Sequence, residues 1–395
     1  MSVYALSGVV RPYAWGSRTA LAKLQGRRVP SDGPEAELWL GAHPGDPSAV
    51  TGPDGPVSLA TLIEDDPKGK LGAEVAGEFG SRLPYLMKVL AAEAPLSLQA
   101  HPDADRARAA FAAQEADPDA PRNYTDAYHK PEMLVALTPF EALCGFRAPD
   151  VSAAVLEELN VPRLAPVVAA LRAGVTGLRE AVRLLLTWPS ADRPALVEAV
   201  VQAAGGRVTS PYAESFALAV DLAGHYPADP GVLVALLLNQ VRLAPGEAIW
   251  MPAGNLHAYR SGLGVEIMAA SDNVLRGGLT PKRVDVDELL EVLRFEVLHD
   301  PIRPAVEVGP GVLTWQVPVR EFALYRIELD GTRPPTPVPA EGPRIILATE
   351  GDVFVAEGHG TPVEVSPGTA AFAPADAGPV TVAGVGQVFV ASVPR

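Results

Sequence analysis

The chain has 395 residues, of which 48% are hydrophobic and 20% charged, and its formal net charge is -15. This length predicts two or three globular domains. The acidic balance, with no cluster of lysine or arginine, excludes a nucleic-acid-binding protein. The sequence contains no run of about 18 uncharged apolar residues that would predict a membrane span.

The chain shows the features of a cytoplasmic protein. Its N-terminal stretch lacks the basic start and apolar core of a secretory signal. The only cysteine, Cys144, cannot form an intramolecular disulfide, which fits a reducing compartment. Its apolar neighbours favour a buried structural thiol over a nucleophile.

Strand-like and helix-like sequence patterns alternate along the chain. Residues 1–147 show the pattern of short strands and turns, with one helix predicted over 103–115 and Asp103 as its N-cap. Residues 150–226 carry alanine, leucine and valine at helical spacing, which predicts core-forming helices near 175–185, 195–204 and 212–223. Strands return near Leu236, a helix is predicted over 281–298, and short strands and turns follow Pro301.

A weak internal repeat links the two strand-rich regions. Residues 243–253 and 365–375, which are 122 positions apart, share a Pro-Gly turn, an aromatic residue and a Pro-Ala pair in register. Duplicated short strands with such turns predict two jelly-roll barrels. The same spacing aligns His257 with Pro379, so we expect one barrel to carry the reactive site and the other to have a structural role.

The predicted fold class is therefore mainly β, with tandem jelly-roll barrels and an all-α subdomain inserted into the first barrel. The predicted domains are 1–148 for the first part of the catalytic barrel and 149–230 for the helical insertion. Residues 231–300 form the remainder of the catalytic barrel, and 301–395 form a metal-free C-terminal barrel.

Polar side chains converge from three strand-like segments. Gln99 and His101 alternate with apolar residues, Lys130 and Glu132 share a face of a second segment, and His257 follows a glycine turn. Ligands at i and i+2 on paired strands point into the mouth of a small barrel. Two imidazoles, a carboxylate and an amide predict an open metal site, with zinc as first choice and ferrous iron equally compatible.

A further polar stretch follows the third histidine. Glu266 alternates with apolar neighbours in a strand, and a loop over 272–278 carries Arg276 next to two glycines, which allow close approach to a ligand. No Gly-rich phosphate loop, His-Glu-x-x-His or Gly-x-Ser-x-Gly motif is present. ATP use and hydride transfer are therefore poor interpretations.

Six motifs carry a resemblance to a known family. They are YAWGS at 13–17, ELWLGAHP at 37–44, LPYLMKVL at 83–90, LSLQAHP at 96–102, HKPE at 129–132 and NVLRGG at 273–278. Together they resemble the zinc-dependent type I mannose-6-phosphate isomerases of the cupin superfamily. The specific motifs extend the resemblance over residues 3–300. The rest of the chain resembles the family only in its cupin-like pattern of short strands and turns.

The resemblance implies interconversion of mannose 6-phosphate and fructose 6-phosphate through an enediol. It implies tandem cupin barrels and one zinc ion per chain, bound by Gln99, His101, Glu132 and His257. It implies catalytic roles for Arg276, Lys130, Glu266 and Asp272, and substrate binding by Trp15, Lys88, Ser97 and Tyr259.

Several points stay open at this stage. The general base is Glu266, Lys130 or His129, while Arg276 keeps its proton and suits charge stabilisation or phosphate contact. Lys88 and Lys282 are further phosphate candidates. The expected partner is a small sugar phosphate, with no nucleic acid or membrane, and the expected state is a monomer.

Three other functions compete with this one. An iron-dependent cupin oxygenase would use the same two histidines and the carboxylate. An isomerase of another phosphorylated aldose would share the whole site. A non-catalytic sugar-binding cupin would bind its ligand without Gln99 or Glu132.

Overall fold

The structure, a computed structural model, describes residues 3–52, 55–119 and 121–394. It is mainly β with helices inserted in the middle of the chain, which confirms the predicted fold class. The described strands form two sheets of 11 strands each. Their hydrogen bonds follow branched paths rather than closed rings.

The first part of the chain holds more helices than the sequence predicted. Its elements are β1 (Tyr4–Ser7), β2 (Val9–Arg11), α1 (Ala20–Leu24), β3 (Glu37–Leu40), β4 (Ala49–Gly52), β5 (Gly55–Ser58), α2 (Leu59–Asp65), α3 (Pro67–Leu71), α4 (Ala73–Phe79), β6 (Tyr85–Ala92), β7 (Leu98–Ala100), α5 (Ala104–Ala116), β8 (Glu132–Ala136) and β9 (Phe140–Phe146). The predicted helix is α5, and the Asp103 side chain caps it by accepting from the Arg106 N–H. Expecting a single helix was wrong, because α1 to α4 have five to seven residues and are too short to show a helical period.

The helices of the insertion share one buried cluster with Leu98 of β7 and Leu143 of β9. The insertion consists of α6 (Pro149–Leu159), α7 (Ala165–Arg172), α8 (Leu178–Leu186), α9 (Arg193–Ala204), α10 (Ala213–His225) and α11 (Gly231–Ala235). Leu178, Val182 and Leu185 are buried as the stripe predicts, whereas Val175 lies in a separate, exposed turn. Within the described ranges, no helix has the length and apolar character needed to cross a bilayer.

The chain then returns to strands with one short helix. The elements are β10 (Leu238–Leu243), β11 (Ala248–Met251), β12 (His257–Ala269), β13 (Leu275–Gly278) and α12 (Val286–Val292). The long helix predicted over 281–298 was wrong. Beyond α12 the N–H groups of Arg294 and Leu298 donate to Gly254 and Phe146, so the backbone bonds to neighbouring segments instead.

After Pro301 the chain contains strands and turns, as predicted. The strands are β14 (Ile302–Arg303), β15 (Val306–Gly309), β16 (Val312–Thr314), β17 (Ala323–Asp330), β18 (Thr336–Pro337), β19 (Arg344–Glu357), β20 (Val363–Val365), β21 (Ala370–Ala373) and β22 (Val380–Ser392).

Strand pairing does not follow chain order. One sheet, here called the β12 sheet, runs β14-β11-β8-β12-β6-β3-β2, with β7, β9, β10 and β13 attached at its side. The other, here called the C-terminal sheet, runs β15-β16-β17-β22-β19-β21-β1-β4-β5, with β18 and β20 attached. β1 bonds to β21 of the C-terminal region, and β4 and β5 follow β1 in that sheet. The four-domain division stays a prediction.

The two sheets share one hydrophobic core. Tyr85 and Trp250 of the β12 sheet belong to the same buried cluster as Trp315 and Phe389 from the C-terminal region. The Tyr85 hydroxyl also donates to the backbone carbonyls of Pro343 and Ala391. Burial of these large side chains fixes one sheet against the other.

Candidate functional site

Strand β12 brings the predicted ligands to one place. Its N-terminal end pairs with β7 and β9, so that His257 lies opposite Gln99. Its other end pairs with β6 and β8, so that Met268 lies opposite Glu132. A register shift between Tyr259 and Ser261 separates the two parts of the strand. This bend lets one strand serve both halves of the site.

Two histidines and a carboxylate meet in the protein interior. Ligand atoms of His101, Glu132 and His257 lie within 4.8 Å of one another. Oε2 of Glu132 is 3.3 Å from Nε2 of His101 and 3.2 Å from Nε2 of His257. All three side chains are at most 2% exposed, and none of these three atoms has a hydrogen-bond partner.

The outer nitrogens of both rings define which nitrogen is protonated. Nδ1 of His101 is 2.7 Å from the Asn273 carbonyl, and Nδ1 of His257 is 3.0 Å from the Asn255 carbonyl. Because a carbonyl only accepts, Nδ1 carries the proton in each ring and Nε2 presents a lone pair. Lone pairs of two imidazoles and one carboxylate thus point at one another, an arrangement that fits a divalent metal ion.

The environment keeps His101 and Glu132 deprotonated near neutral pH. Burial lowers the pKa of His101 to about 4, although the Glu132 carboxylate opposes this effect. Burial also tends to raise the pKa of Glu132, but Lys130 and His101 hold it well below its ordinary value. The Lys130 Nζ lies 3.1 Å from Oε1 of Glu132, opposite the oxygen that faces the imidazoles. Neutral imidazole and ionised carboxylate are the forms that bind metal.

A second buried charge cluster lies beside the first. The Lys88 Nζ is 3.5 Å from a carboxylate oxygen of Glu37 and 3.5 Å from one of Glu266. The Tyr259 hydroxyl donates to the other oxygen of Glu266 at 2.8 Å. Burial, followed by repulsion from Glu132, raises the pKa of Glu266 to about 7. A carboxyl group with that pKa is suited to exchange protons at neutral pH.

The environment of Lys88 has the opposite effect. Burial alone lowers the pKa of Lys88, but the carboxylates of Glu37, Glu266 and Glu132 together raise it above its ordinary value. The ammonium group therefore keeps its proton and remains bound between two carboxylates. Burial, together with the neighbouring Glu266, raises the pKa of Tyr259 well above its usual range, so that its hydroxyl is a donor.

A cationic cavity opens next to Asp272. The cavity holds about 400 Å³. Four cations in its lining outnumber the carboxylates of Asp272 and Asp285; they are Arg122, Arg276, Lys282 and Arg283. Arg276 is half-buried, and burial lowers its pKa. Several positive side chains around a cavity of this size favour an anionic ligand group.

The predicted site residues are distributed over these three groups. Lys130 contacts Glu132, and Glu266 contacts both Lys88 and Tyr259. Gln99 lies opposite both His257 and Arg276 in the strand register, and its bond to a metal stays a prediction. Trp15 stacks on Tyr13, and Ser97 precedes β7; their substrate contacts also stay predictions.

The sequence patterns did not single out three polar side chains at the site. Glu37 contacts Lys88, His43 contacts Asp272, and Glu321 contacts His129 at 2.6 Å. The first two lie in the ELWLGAHP motif, where the alternation of Glu37 with apolar residues was an available signal. Glu321 is 192 positions from its partner, and no local pattern marks it.

The comparisons with known proteins agree with this geometry. The profile of the family "Phosphomannose isomerase type I, catalytic domain" matches residues 3–149. Mannose-6-phosphate isomerase of Escherichia coli is 37% identical over 402 residues, covering 96% of each chain. A phosphomannose isomerase structure from Salmonella typhimurium covers 100% of both chains with a TM-score of 0.92 and 34% identity. A zinc-bound mannose 6-phosphate isomerase, also 34% identical over 100% of both chains, gives 0.89.

Proposed function

This chain belongs to the type I mannose-6-phosphate isomerase family, and we propose that it interconverts mannose 6-phosphate and fructose 6-phosphate with one zinc ion per chain. The observation that carries the proposal is the convergence of three unpartnered lone pairs from His101, Glu132 and His257. Buried atoms of this kind are costly unless a cation compensates them.

The metal would be held by these three side chains with Gln99 as the fourth ligand. Zinc accepts nitrogen and oxygen ligands and tolerates an open position. When bound, it would act as a Lewis acid that polarises the carbonyl oxygen of the open-chain sugar. The hydrogen bonds from Nδ1 to Asn273 and Asn255 fix both rings for this task.

The reaction needs one proton moved between carbon atoms C1 and C2 and another moved between their oxygens. We assign the carbon-bound proton to Glu266, because its pKa of about 7 lets it both accept and return a proton. Lys88 and Tyr259 hold its two oxygens in place. We assign the hydroxyl proton to Asp272, whose carboxylate is 43% exposed beside the cationic cavity.

Lys130 would stabilise negative charge that develops on the substrate oxygens. Its ammonium already contacts Glu132, so it lies next to the metal ligands. The side chains of Trp15 and Ser97 would line the sugar, with the hydroxyl of Tyr259 as a further contact. A positioned cation in a buried site stabilises charge that forms during the reaction.

The phosphate group would bind in the cationic cavity. Arg276 and Lys282 line it together, which favours them over Lys88 as phosphate ligands. Lys88 is buried and already lies between two carboxylates. Guanidinium groups suit phosphate because they donate two parallel hydrogen bonds.

The activity can be tested with the purified protein. We expect fructose 6-phosphate to form from mannose 6-phosphate, activity to disappear after chelation, and zinc to restore it. The same coupled assay with other phosphorylated aldoses as substrates tests the closest alternative. Bound iron with oxygen consumption, and no isomerisation by zinc-loaded protein, would contradict the proposal.

We also propose that the protein is a cytoplasmic monomer. The single buried cysteine supports a reducing compartment. Light scattering of the purified protein at several concentrations would test the monomer, and a mass that rises to twice 41.4 kDa would contradict it.

A further inference from the structure

His43 is a buried histidine outside the metal cluster. Its side chain is 8% exposed, and its Nε2 lies 2.9 Å from Oδ2 of Asp272. The backbone N–H of Gly45 donates to Nδ1 at 3.1 Å. Nδ1 therefore holds a lone pair, and Nε2 carries the proton that His43 donates to the aspartate.

The loop between β3 and β4 fixes the imidazole. The Ser48 hydroxyl accepts from the Gly41 N–H at 3.0 Å, and the Ser48 N–H donates to the Gly41 carbonyl at 2.9 Å. The His43 ring also packs edge-on against Trp39, with centroids 4.7 Å apart. Hydrogen bonds and packing thus hold the donor in place before any substrate binds.

Asp272 is restrained on one side and open on the other. Its backbone N–H donates to the Asp126 carboxylate at 2.9 Å. Among the described residues, Oδ1 of Asp272 receives no hydrogen bond, whereas Oδ2 is taken by His43. The carboxylate lines the same cavity as Arg276 and Lys282, which attract it. Without His43, nothing in this geometry prevents its rotation towards those cations.

We propose that His43 is a positioning residue that holds Oδ2 of Asp272, leaving Oδ1 to accept a substrate hydroxyl proton. This inference rests on the role assigned to Asp272 in the proposed function. His43 itself need not touch the sugar, because it acts through the aspartate. Its bond also keeps the carboxylate out of the space that the phosphate would occupy.

Two substitutions separate the bond to Asp272 from the bond to Gly45. His43→Gln places an amide N–H near the position of Nε2 and should retain most of the activity. His43→Asn reaches only the position of Nδ1, so it keeps an acceptor for Gly45 and loses the aspartate. We expect His43→Asn to lower kcat about ten- to hundredfold with little change in KM, since small displacements of a reacting group cost that much.

The controls test whether the effect is local. Zinc content and the thermal midpoint of His43→Asn should match those of the parent protein. His225→Asn, at an exposed histidine at the end of α10, should have parent kcat. A fall in kcat that accompanies zinc loss, or that equals the effect of His43→Gln, would overturn the proposal.

A double mutant decides whether His43 acts through Asp272. If it does, adding His43→Asn to Asp272→Asn causes no further loss of kcat. Independent losses that multiply would overturn the inference. Full activity of Asp272→Asn alone would instead defeat the role assigned to Asp272, while the isomerase activity itself would stand.

Discussion

Two turns that lie 122 positions apart have the same backbone conformation. They belong to different sheets, and the side chains around them differ in charge. The Glu247 N–H donates to the Ala244 carbonyl at 3.0 Å, and the Thr369 N–H donates to the Ser366 carbonyl at 2.9 Å. The glycines of the two turns have φ of +89° and +75°, which glycine adopts without strain. The strands that follow, β11 and β21, begin and end at matching positions. The internal repeat seen in the sequence is therefore a structural one.

The side chains facing these strands differ in charge. Met251 at the end of β11 lies opposite Glu132, whereas Ala373 at the end of β21 lies opposite Arg344. A buried arginine thus occupies the position that corresponds to the Glu132 carboxylate, and it donates to the Pro374 carbonyl at 2.8 Å. The comparison teaches that one backbone supports a ligand site in one copy and a purely structural interaction in the other.

Substitution of Glu132 should have the largest effect. Glu132→Gln keeps the shape but removes the charge that compensates a cation between two neutral imidazoles. We expect zinc affinity to fall by more than about 100-fold, beyond the effect typical of residues behind the ligands. Titration of the metal-free protein with zinc and elemental analysis after dialysis measure this change.

The matched control lies in the C-terminal sheet. Glu364→Gln replaces an exposed carboxylate on β20 and should leave zinc affinity unchanged. Retention of one zinc per chain by Glu132→Gln would mean that the converging lone pairs are not the metal site.

The metal-free protein should also lose stability in acid because of His101. Its pKa is about 4 in the folded chain, against about 6.5 in an unfolded chain. Between these values the unfolded state binds more protons, so the free energy of unfolding falls as pH decreases from about 6.5 to 4, by at most about 1.4 kcal/mol per pH unit.

Urea unfolding of metal-free protein at several pH values measures this slope. His101→Asn should flatten it, whereas His359→Asn, at an exposed histidine of the C-terminal region, should not. An unchanged slope in His101→Asn would contradict the burial of a neutral imidazole at this position.

Arg344 should matter for stability and not for metal binding. Its guanidinium donates to the Pro374 carbonyl, and Arg344→Met would leave that carbonyl with only the bond from the Ala377 N–H at 3.1 Å. We expect the free energy of unfolding to fall by about 2 kcal/mol, as for lost hydrogen bonds to a charged group. Zinc content at a permissive temperature should stay at one per chain. Zinc loss in this variant would show that the two copies of the repeat do not act independently.

The sequence predicted the parts of the site that follow local rules. The candidate metal set could be proposed because His101 ends an alternation of polar and apolar residues along β7, and Glu132 stands two residues after Lys130 at the start of β8. Short helices such as α2 could not be predicted, because seven residues show less than two helical turns. The roles of His43 and Glu321 depend on partners more than 190 positions away, which only the folded chain brings near.

The last prediction concerns Glu321, which precedes β17 of the C-terminal sheet and contacts a residue near Glu132. Oε1 of Glu321 lies 2.6 Å from Nε2 of His129, just before the segment that carries Glu132. The next residue, Phe322, packs against Trp250 of β11 with centroids 6.4 Å apart, which anchors the contact. Burial tends to raise the pKa of Glu321, but the hydrogen bond with His129 keeps it below its ordinary value.

Glu321→Gln removes the charge that orients the His129 ring. We expect the interaction that holds this ring to weaken by about 1 kcal/mol, as for a partly exposed ion pair. If His129, in place of Glu266 or Asp272, exchanges a proton with the substrate, this weakening appears as about a fivefold lower kcat with unchanged KM. Glu321→Asp should recover part of it, and Glu364→Gln again serves as the control. Nitrogen NMR of His129 would show a mixture of ring tautomers in Glu321→Gln. If kcat stays at the parent value while the His129 ring is a mixture of tautomers, His129 has no part in proton transfer. The contact between Glu321 and His129 would then contribute to the fold and not to the reaction.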